Sequence, residues 1–319
     1  MKFSRYSLLF LLINMNYAST FVSKCFCGVK PRTYIKASMC SSVKDHGRFQ
    51  WSLFEKSFNG KWTSPHTYVY NSDNTLIDVL PTTKYELTFY ENRTCIWNGT
   101  GLRYTNGNKI LYLNETNLNS HGMVFLFPGC GGHSYRNLNP NKKPGTLLPI
   151  EVNFFNNNTR SMIIIYYKAC NKSLELDSIQ ITPFRNLRNP NVSYSTFPLA
   201  PTQKSVEDIV SKMLDSVCHG ERYSYEPGRP YFNTLLLDHF NIFPYLSANK
   251  NLVKATFDDG LVMVVPKVVP IERHFALLFG AMMNKTLYKQ LVINYNIDGN
   301  LTKWTYDIYN ISDGKNKLC

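Results

Sequence analysis

Residues 48–62 read RFQWSLFEKSFNGKW and predict a short helix followed by the first strand of a β-barrel. Apolar side chains recur at helical spacing, and Asn59-Gly60 then interrupts that periodicity. Glycine lets the backbone turn without steric cost, and Trp62 brings a large aromatic side chain onto the strand. This pattern is typical of small barrels that hold one ligand, so we expect the helix to close one mouth and Trp62 to fill the floor.

The chain continues with nine short β-prone runs, separated by turn residues at about the 8–12-residue spacing of a barrel or sandwich. Nine runs are enough to close a barrel of about eight strands, which encloses space for one small ligand. In the last run the apolar positions change parity, from Leu174 and Leu176 to Ile179 and Ile181, which indicates a β-bulge or a strand that leaves the barrel. The runs are Trp62–Tyr70, Leu76–Leu80, Tyr85–Tyr90, Cys95–Tyr104, Ile110–Leu113, Met123–Phe127, Ile150–Phe155, Met162–Tyr167 and Leu174–Ile181.

The second half begins with a linker rich in Pro and Asn, residues 184–201, and one amphipathic helix, residues 205–217. Ser205 can cap this helix, and its apolar stripe is expected to pack on its own domain. Six further β-prone runs follow, and the chain is therefore predicted to be all-β. These runs are Tyr231–Leu237, Leu252–Phe257, Leu261–Val265, Phe275–Met283, Leu287–Tyr295 and Leu301–Tyr309.

The net charge of +13 is concentrated at the N-terminus, where residues 1–48 hold eight basic side chains and one acidic side chain. Residues 1–20 have the plan of a secretory signal peptide, and residues 21–48 have the basic, nearly acid-free composition of a transit peptide. Together they predict the bipartite address of a plastid bounded by extra membranes, with Phe21 resembling the phenylalanine found at such a junction. The rest of the chain has no compelling nucleic-acid footprint, and no apolar stretch is long enough for a membrane span.

Secretion is the competing interpretation, because the chain contains nine Asn-x-Ser/Thr sequons. A sequon permits N-glycosylation without showing that it occurs, and an asparagine-rich chain acquires some sequons by chance. The nine asparagines are Asn92, Asn98, Asn114, Asn157, Asn171, Asn191, Asn284, Asn300 and Asn310.

The eight cysteines do not predict a disulfide framework, since three lie in the leader and the other five are widely spaced. Cys25-Phe-Cys27 has no second pair at zinc-site spacing. The segment FPGCGGH, residues 127–133, places Cys130 near His133 as a nucleophile and base or as two metal ligands. No third partner is identifiable and the glycines favour a turn between strands, so we predict no catalytic or metal site and assign no cofactor.

Six segments carry a family resemblance, namely NNNTRSMI (156–163), LEL (174–176), ITPFR (181–185), GLVMVVP (260–266), LYKQLVINY (287–295) and GNLTKW (299–304). They resemble the DUF3598 family, a cyanobacterial and plastid family of unknown function. The resemblance covers about residues 49–310 and implies two consecutive lipocalin-like antiparallel β-barrels, in residues 49–188 and 189–319, with the amphipathic helix between them. A second Gly-x-Trp is expected after that helix, but residues 219–222 read HGER, so the second barrel is expected to be incomplete or to lack a usable cavity.

The leading functional hypothesis is non-enzymatic binding or carriage of a hydrophobic small molecule, namely a fatty acid, a carotenoid or a tetrapyrrole, in the first barrel. Arg160 or Arg185 is expected to meet an acidic headgroup; the sequence indicates no protein partner. The alternatives are a bilin-handling protein similar to the phycobiliprotein lyases, and a secreted, glycosylated β-protein with a structural or adhesive role. The residues expected to line the first barrel are Trp62, Tyr85, Leu87, Phe89, Trp97 and Ile165.

Overall fold

A computed structural model describes residues 35–37, 43–100, 109–114, 123–156, 159–187, 203–204, 217–227, 233–237, 251–257, 260–270 and 273–312. The described residues form one helix and twenty strands. The first part of the chain contains β1 (Ile35–Ala37), α1 (Val43–Phe58), β2 (Gly60–Ser64), β3 (Thr67–Asn71), β4 (Leu76–Leu80), β5 (Thr83–Tyr90), β6 (Thr94–Thr100), β7 (Lys109–Asn114), β8 (Met123–Phe127), β9 (Cys130–Ser134), β10 (Leu147–Asn156), β11 (Thr159–Cys170) and β12 (Ser173–Asn186). The second part contains β13 (Gln203–Lys204), β14 (Val217–Tyr225), β15 (Asn233–Leu237), β16 (Leu252–Phe257), β17 (Leu261–Pro266), β18 (Phe275–Asn284), β19 (Leu287–Tyr295) and β20 (Leu301–Ser312).

The N-terminal sheet contains β2 to β12, paired antiparallel in the order β7-β6-β5-β2-β12-β11-β10-β9-β8. The last strand of this sheet, β12, pairs with the first two, β2 and β3. It is long enough for both to pair with it one after the other along the same edge. This return of the last strand to the first curls the sheet into a barrel-like form. Helix α1 lies against the interior, where Trp51 and Phe54 contact Phe89 of β5 and Phe58 contacts Phe155 of β10.

The C-terminal sheet has nine strands in the order β1-β15-β14-β20-β19-β18-β17-β16-β13 and curls into a half-barrel. Its largest ladders join β18, β19 and β20, which are hairpin neighbours in the sequence. The turn before β20 contains Gly299 at φ 74°, a conformation that costs glycine little. The prediction of an all-β chain with barrel-like sheets is thereby confirmed.

The largest hydrophobic cluster lies between the two sheets and draws side chains from both. Phe127 stacks on Tyr306 with ring centroids 5.3 Å apart, and Tyr167 donates a 2.8 Å hydrogen bond from its hydroxyl to the carbonyl of Pro266. A second cluster fills the interior of the N-terminal sheet beneath α1, and a third lies on the other face of the C-terminal sheet. The two sheets therefore share one hydrophobic core, and each sheet also has a separate core of its own.

Several local predictions are confirmed by the backbone. Gly60 adopts φ 113°, and the ladder between β11 and β12 shifts register at Asp177, where the parity change indicated a bulge. The turn predicted for the FPGCGGH segment lies between β8 and β9, with Gly129 at φ 83°, but it is confined to Pro128 and Gly129. Gly131 and Gly132 belong instead to strand β9. Glycine suits this strand since a Cβ on Gly132 would collide with the carbonyl of Glu151.

Other predictions lie partly or wholly outside the described residues. The amphipathic helix is one of them, although its last residue, Val217, begins strand β14. The signal peptide is another, and of the transit-like segment the structure describes residues 35–37, which pair with β15, and the first turns of α1. Within the described part of the chain, no helix combines the length and the apolar character needed to cross a bilayer.

Candidate functional site

The interior of the N-terminal sheet contains a cavity of about 180 Å³ between α1 and the inward-facing side chains of five strands. Its wall is mainly apolar and aromatic, with one arginine and one glutamate among the lining residues. The lining residues are Phe54 and Phe58 of α1, Tyr85 and Leu87 of β5, Trp97 of β6, Leu111 and Leu113 of β7, Glu151 of β10, and Arg160 and Met162 of β11.

Arg160 is only 2% exposed and its guanidinium is enclosed by aromatic rings. The Cζ atom lies 4.2 Å from the ring centroid of Phe184, 4.8 Å from that of Tyr85 and 5.0 Å from that of Trp62. Phe58 and Phe155 complete the enclosure at 5.3 and 5.9 Å. The negative faces of these rings attract the cation, which is why an arginine is tolerated at this depth.

Arg160 forms no ion pair with any acidic side chain that the structure describes. Its Nε also lacks a hydrogen-bond partner within the described part of the chain. Burial lowers the pKa of the guanidinium because water no longer solvates the cation. An arginine starts from a pKa above 12 and remains protonated in proteins, so the interior holds a buried cation that no described acidic side chain neutralises.

Other polar groups of this interior also lack partners. The hydroxyl of Tyr85, the Oδ1 of Asn153 and the Nε2 of Gln180 are buried without a hydrogen bond among the described residues. Buried polar groups are normally paired, so each unpaired group calls for an explanation. A bound polar molecule near Arg160 and Tyr85 would supply the missing acceptor.

The cavity is electrostatically asymmetric along strands β10 and β11. Arg160 is the cross-strand partner of Phe155, whereas Glu151 lies four residues earlier on β10. At about 3.3 Å per residue this separation is roughly 13 Å. The Glu151 carboxylate accepts a 2.7 Å hydrogen bond from Asn153. The cavity thus has a cationic end beneath Phe184 and an anionic end near Asn153.

The structure brings together four of the eight residues predicted for the site, because Tyr85, Leu87, Trp97 and Arg160 all line the cavity. Trp62 lies directly behind Arg160, and its Nε1 donates a 2.9 Å hydrogen bond to the carbonyl of Phe58. Its predicted place at the floor of the barrel stays a prediction.

The other three residues predicted for the site lie elsewhere. Phe89 packs against Trp51 and Phe54 beneath the helix, outside the cavity lining. Ile165 is on the opposite face of β11 from Arg160 and contributes to the core between the sheets. Arg185 is half-buried, and its Nη1 donates to the neighbouring carbonyl of Phe184 at 3.0 Å.

Sequence reasoning missed six lining residues, namely Phe54, Phe58, Leu111, Leu113, Glu151 and Met162. The signal for most of them was available in the alternation of side chains along a strand. Met162 follows Arg160 by two residues, and Leu113 follows Leu111 by two, so each pair shares a face. For Phe54 and Phe58 the helical spacing of four residues gives the same information.

A larger groove of about 680 Å³ lies on the C-terminal sheet and is lined mostly by polar side chains, among them Arg222, His274 and Lys303. Arg222 donates from Nε and Nη2 to the two carboxylate oxygens of Asp307, at 2.7 and 2.8 Å. The Arg222 charge is therefore neutralised within the protein, in contrast to that of Arg160.

Cys130 and His133 do not form a catalytic pair. They are three residues apart on β9 and so face opposite sides of the strand. Cys130 is fully buried, and burial raises the pKa of its thiol, which disfavours the reactive thiolate. The described residues contain no group of three His, Cys, Asp or Glu side chains placed to hold a metal ion.

The chain has the fold of a solved protein of the DUF3598 family. No protein-family model and no curated protein matches the chain by sequence. Among solved structures, it is similar to a protein of unknown function from the DUF3598 family of Nostoc punctiforme PCC 73102, with a TM-score of 0.58 and 14% sequence identity. The similarity covers 82% of this chain and 99% of the Nostoc chain. The predicted resemblance is therefore confirmed at the level of the fold.

Proposed function

We propose that the protein binds a small hydrophobic carboxylic acid in the interior of the N-terminal sheet, as a non-enzymatic, lipocalin-like carrier. The observation that carries the proposal is the buried cation of Arg160 in the aromatic wall of a cavity, with no hydrogen-bond partner at its Nε and no ion pair among the described residues. A carboxylate beside Arg160 forms charge-assisted hydrogen bonds, which are stronger than neutral ones. The apolar part of the ligand then lies against Leu87, Leu113 and Met162.

The volume of the cavity selects among the candidate ligands. Pockets that bury drug-sized molecules measure about 300–1,000 Å³, whereas an apolar cavity of about 150 Å³ accepts benzene. A cavity of about 180 Å³ thus suits an aromatic acid or a short to medium fatty acid. A carotenoid or a tetrapyrrole requires α1 to move away from the sheet, so bilin handling is the weaker alternative.

The cellular location belongs to the same proposal. The leader composition favours delivery of the carrier to a plastid by way of the secretory pathway. A secreted, glycosylated β-protein is the second candidate, and the specific observation in its favour is the exposure of the sequon asparagines, described below.

The proposal is tested by calorimetric titration of the purified protein with octanoate and, separately, with octanol. The two probes share one alkyl chain, and only octanoate carries a charge for Arg160. A hydrogen bond to a charged group contributes about 1.5–3 kcal/mol, and each 1.4 kcal/mol is tenfold in affinity. We therefore expect octanoate to bind about 10- to 100-fold more tightly than octanol.

Two variants identify the residue responsible. Arg160→Met is expected to bind the two probes equally, and Arg185→Met, which removes a half-buried arginine outside the cavity, is expected to keep the preference. Circular dichroism establishes that each variant is folded. Equal binding of both probes by the unmodified protein, or an unchanged preference in Arg160→Met, would overturn the proposal.

A further inference from the structure

The sequon asparagines differ from the other asparagines in their exposure. The structure describes the side chains of seven of the nine, and all seven are exposed. Twelve other asparagines have described side chains, and of these only Asn141 and Asn251 are exposed. Sequons that arose by chance in an asparagine-rich chain would have the exposure of the other asparagines. The seven exposed sequon residues are Asn92, Asn98, Asn114, Asn171, Asn284, Asn300 and Asn310.

Two sequons also place the hydroxyl against the carboxamide in tight turns. Thr94 donates from Oγ1 to the Oδ1 of Asn92 at 2.6 Å. Thr286 donates from its backbone N–H and from Oγ1 to the Oδ1 of Asn284, at 2.8 and 3.0 Å. In both turns the carboxamide oxygen accepts the hydrogen bonds. Nδ2, the atom to which a sugar is attached, forms no hydrogen bond with the described residues.

Two of the exposed sequons lie at an edge of the N-terminal sheet. Asn114 ends β7 and is the cross-strand partner of Thr94, so the sequons of Asn92 and Asn114 are adjacent. Both asparagines line a surface groove with Tyr90 and Tyr112, which are 48% and 73% exposed. Strand β7 is terminal in the strand order, and an edge strand with exposed apolar side chains invites pairing with another chain.

We propose that the protein carries N-linked glycans on its exposed sequons, and that the glycans on Asn92 and Asn114 cover the edge formed by β7. In the modification, Nδ2 of asparagine forms a bond to the anomeric carbon of an oligosaccharide. The bond from that carbon to its lipid-pyrophosphate carrier breaks, and Nδ2 loses one proton as the lipid pyrophosphate leaves. The co-substrate is a lipid-pyrophosphate-linked oligosaccharide, which the chain meets in the secretory pathway that its leader predicts. This inference is independent of the ligand in the cavity.

The first test is peptide mapping of the protein purified from its own cells, after enzymatic removal of N-glycans. The enzyme converts each glycosylated asparagine to aspartate. We expect conversion at the seven exposed sequons and none at Asn141 or Asn251, which are exposed but lie outside sequons. Recovery of the sequon asparagines unmodified would overturn the proposal.

The second test asks whether glycosylation of Asn92 requires the hydroxyl of Thr94 and whether the glycans cover β7. In a secreting eukaryotic host, Thr94→Ala is expected to abolish the glycan on Asn92, and Thr94→Ser is expected to keep it. The double variant Asn92→Gln/Asn114→Gln is expected to self-associate more than Asn284→Gln/Asn310→Gln, in which two glycans distant from β7 in the sequence are removed. Equal self-association of the two double variants, measured by analytical ultracentrifugation, would overturn the proposed cover of β7.

Discussion

Arg160 and Phe184 are cross-strand partners in the ladder between β11 and β12, and the guanidinium carbon of Arg160 lies 4.2 Å from the centroid of the Phe184 ring. A buried cation–aromatic contact contributes about 2 kcal/mol. Desolvation of an ion costs several kcal/mol, even after relaxation, and no acid in the described part of the chain offsets that cost. Arg160 is therefore expected to destabilise the ligand-free protein, as groups that serve binding rather than folding often do.

This reasoning predicts that Arg160→Met stabilises the ligand-free protein. Methionine fills similar space and needs no partner, so the free energy of unfolding should rise by about 1–3 kcal/mol. Urea denaturation followed by circular dichroism measures the change. Arg185→Met, at a half-buried position, is the control and should change the free energy by less than about 0.5 kcal/mol. A loss of stability in Arg160→Met would assign Arg160 a structural role.

The core between the sheets predicts that the described unit unfolds in one transition. Trp304 is fully buried in that core, stacks on Tyr225 at 5.0 Å and donates from Nε1 to the hydroxyl oxygen of Ser134 at 3.2 Å. Replacement by phenylalanine removes the hydrogen bond and part of the packing, at a cost of about 1–3 kcal/mol. The N-terminal sheet should lose stability with it, although Trp304 lies on the other sheet.

Tryptophan fluorescence measures this coupling directly. In Trp304→Phe the remaining tryptophans, Trp51, Trp62 and Trp97, all lie in the interior of the N-terminal sheet. Their urea midpoint is expected to shift downward together with the midpoint from circular dichroism. A fluorescence midpoint equal to that of the unmodified protein would show that the two sheets unfold separately.

The ion pair of Arg222 and Asp307 is predicted to contribute measurably to stability. Asp307 is fully buried and also accepts a hydrogen bond from the hydroxyl of Tyr309 at 3.1 Å. Because the Arg222 side chain is 27% exposed, solvent moderates the cost of leaving it unpaired. Asp307→Asn should therefore lower the free energy of unfolding by about 1–3 kcal/mol.

An exposed pair provides the matched control for that variant. Lys61 and Glu86 form a 3.5 Å ion pair with side chains 62% and 43% exposed. Glu86→Gln should change the free energy of unfolding by less than about 1 kcal/mol, because exposed pairs are well screened. Equal effects of Glu86→Gln and Asp307→Asn would contradict the prediction.

The alternation of side chains explains how much of this architecture the sequence predicts. Runs such as Leu76–Leu80 and Leu287–Tyr295 match the observed strands because apolar residues, several of them β-branched or aromatic, make up most of each run. Strand β9 was missed because it contains Gly131 and Gly132, which have low β-propensity. Its structure depends on close approach to the Glu151 backbone, which is a tertiary contact that local sequence does not encode.

The candidate site, too, is predicted in part by the alternation of side chains and in part depends on tertiary contacts. Arg160 and Met162 share a face of β11, and a five-residue separation places Ile165 on the other face, so parity alone excludes Ile165 from the lining. Parity does not choose between Arg160 and Arg185, which lie on different strands. That choice depends on the aromatic enclosure around Arg160, assembled from α1, β2, β5, β10 and β12.

Alkaline solutions are predicted to unfold the protein through its buried tyrosines. Desolvation raises the pKa of Tyr167, Tyr288, Tyr295 and Tyr306 above the ordinary value of 10.0. Their contribution to stability is fully present below about pH 10 and is lost as the pH rises towards the folded-state values, because only the unfolded chain loses these protons. Each tyrosine lowers the free energy of unfolding by about 1.4 kcal/mol per pH unit in that window.

Together the four tyrosines lower the free energy of unfolding by roughly 5 kcal/mol per pH unit. A typical protein has a free energy of unfolding of about 5–15 kcal/mol. Lys289 acts in the opposite direction, because burial lowers its pKa below 10.5. Its contribution to the free energy of unfolding therefore becomes more favourable as the pH rises to 10.5. As a single group, it does not outweigh the four tyrosines. Circular dichroism and tyrosinate absorbance should therefore change together within about one to three units above pH 10. Ionisation of the four tyrosines near pH 10 in a protein that stays folded would contradict their burial.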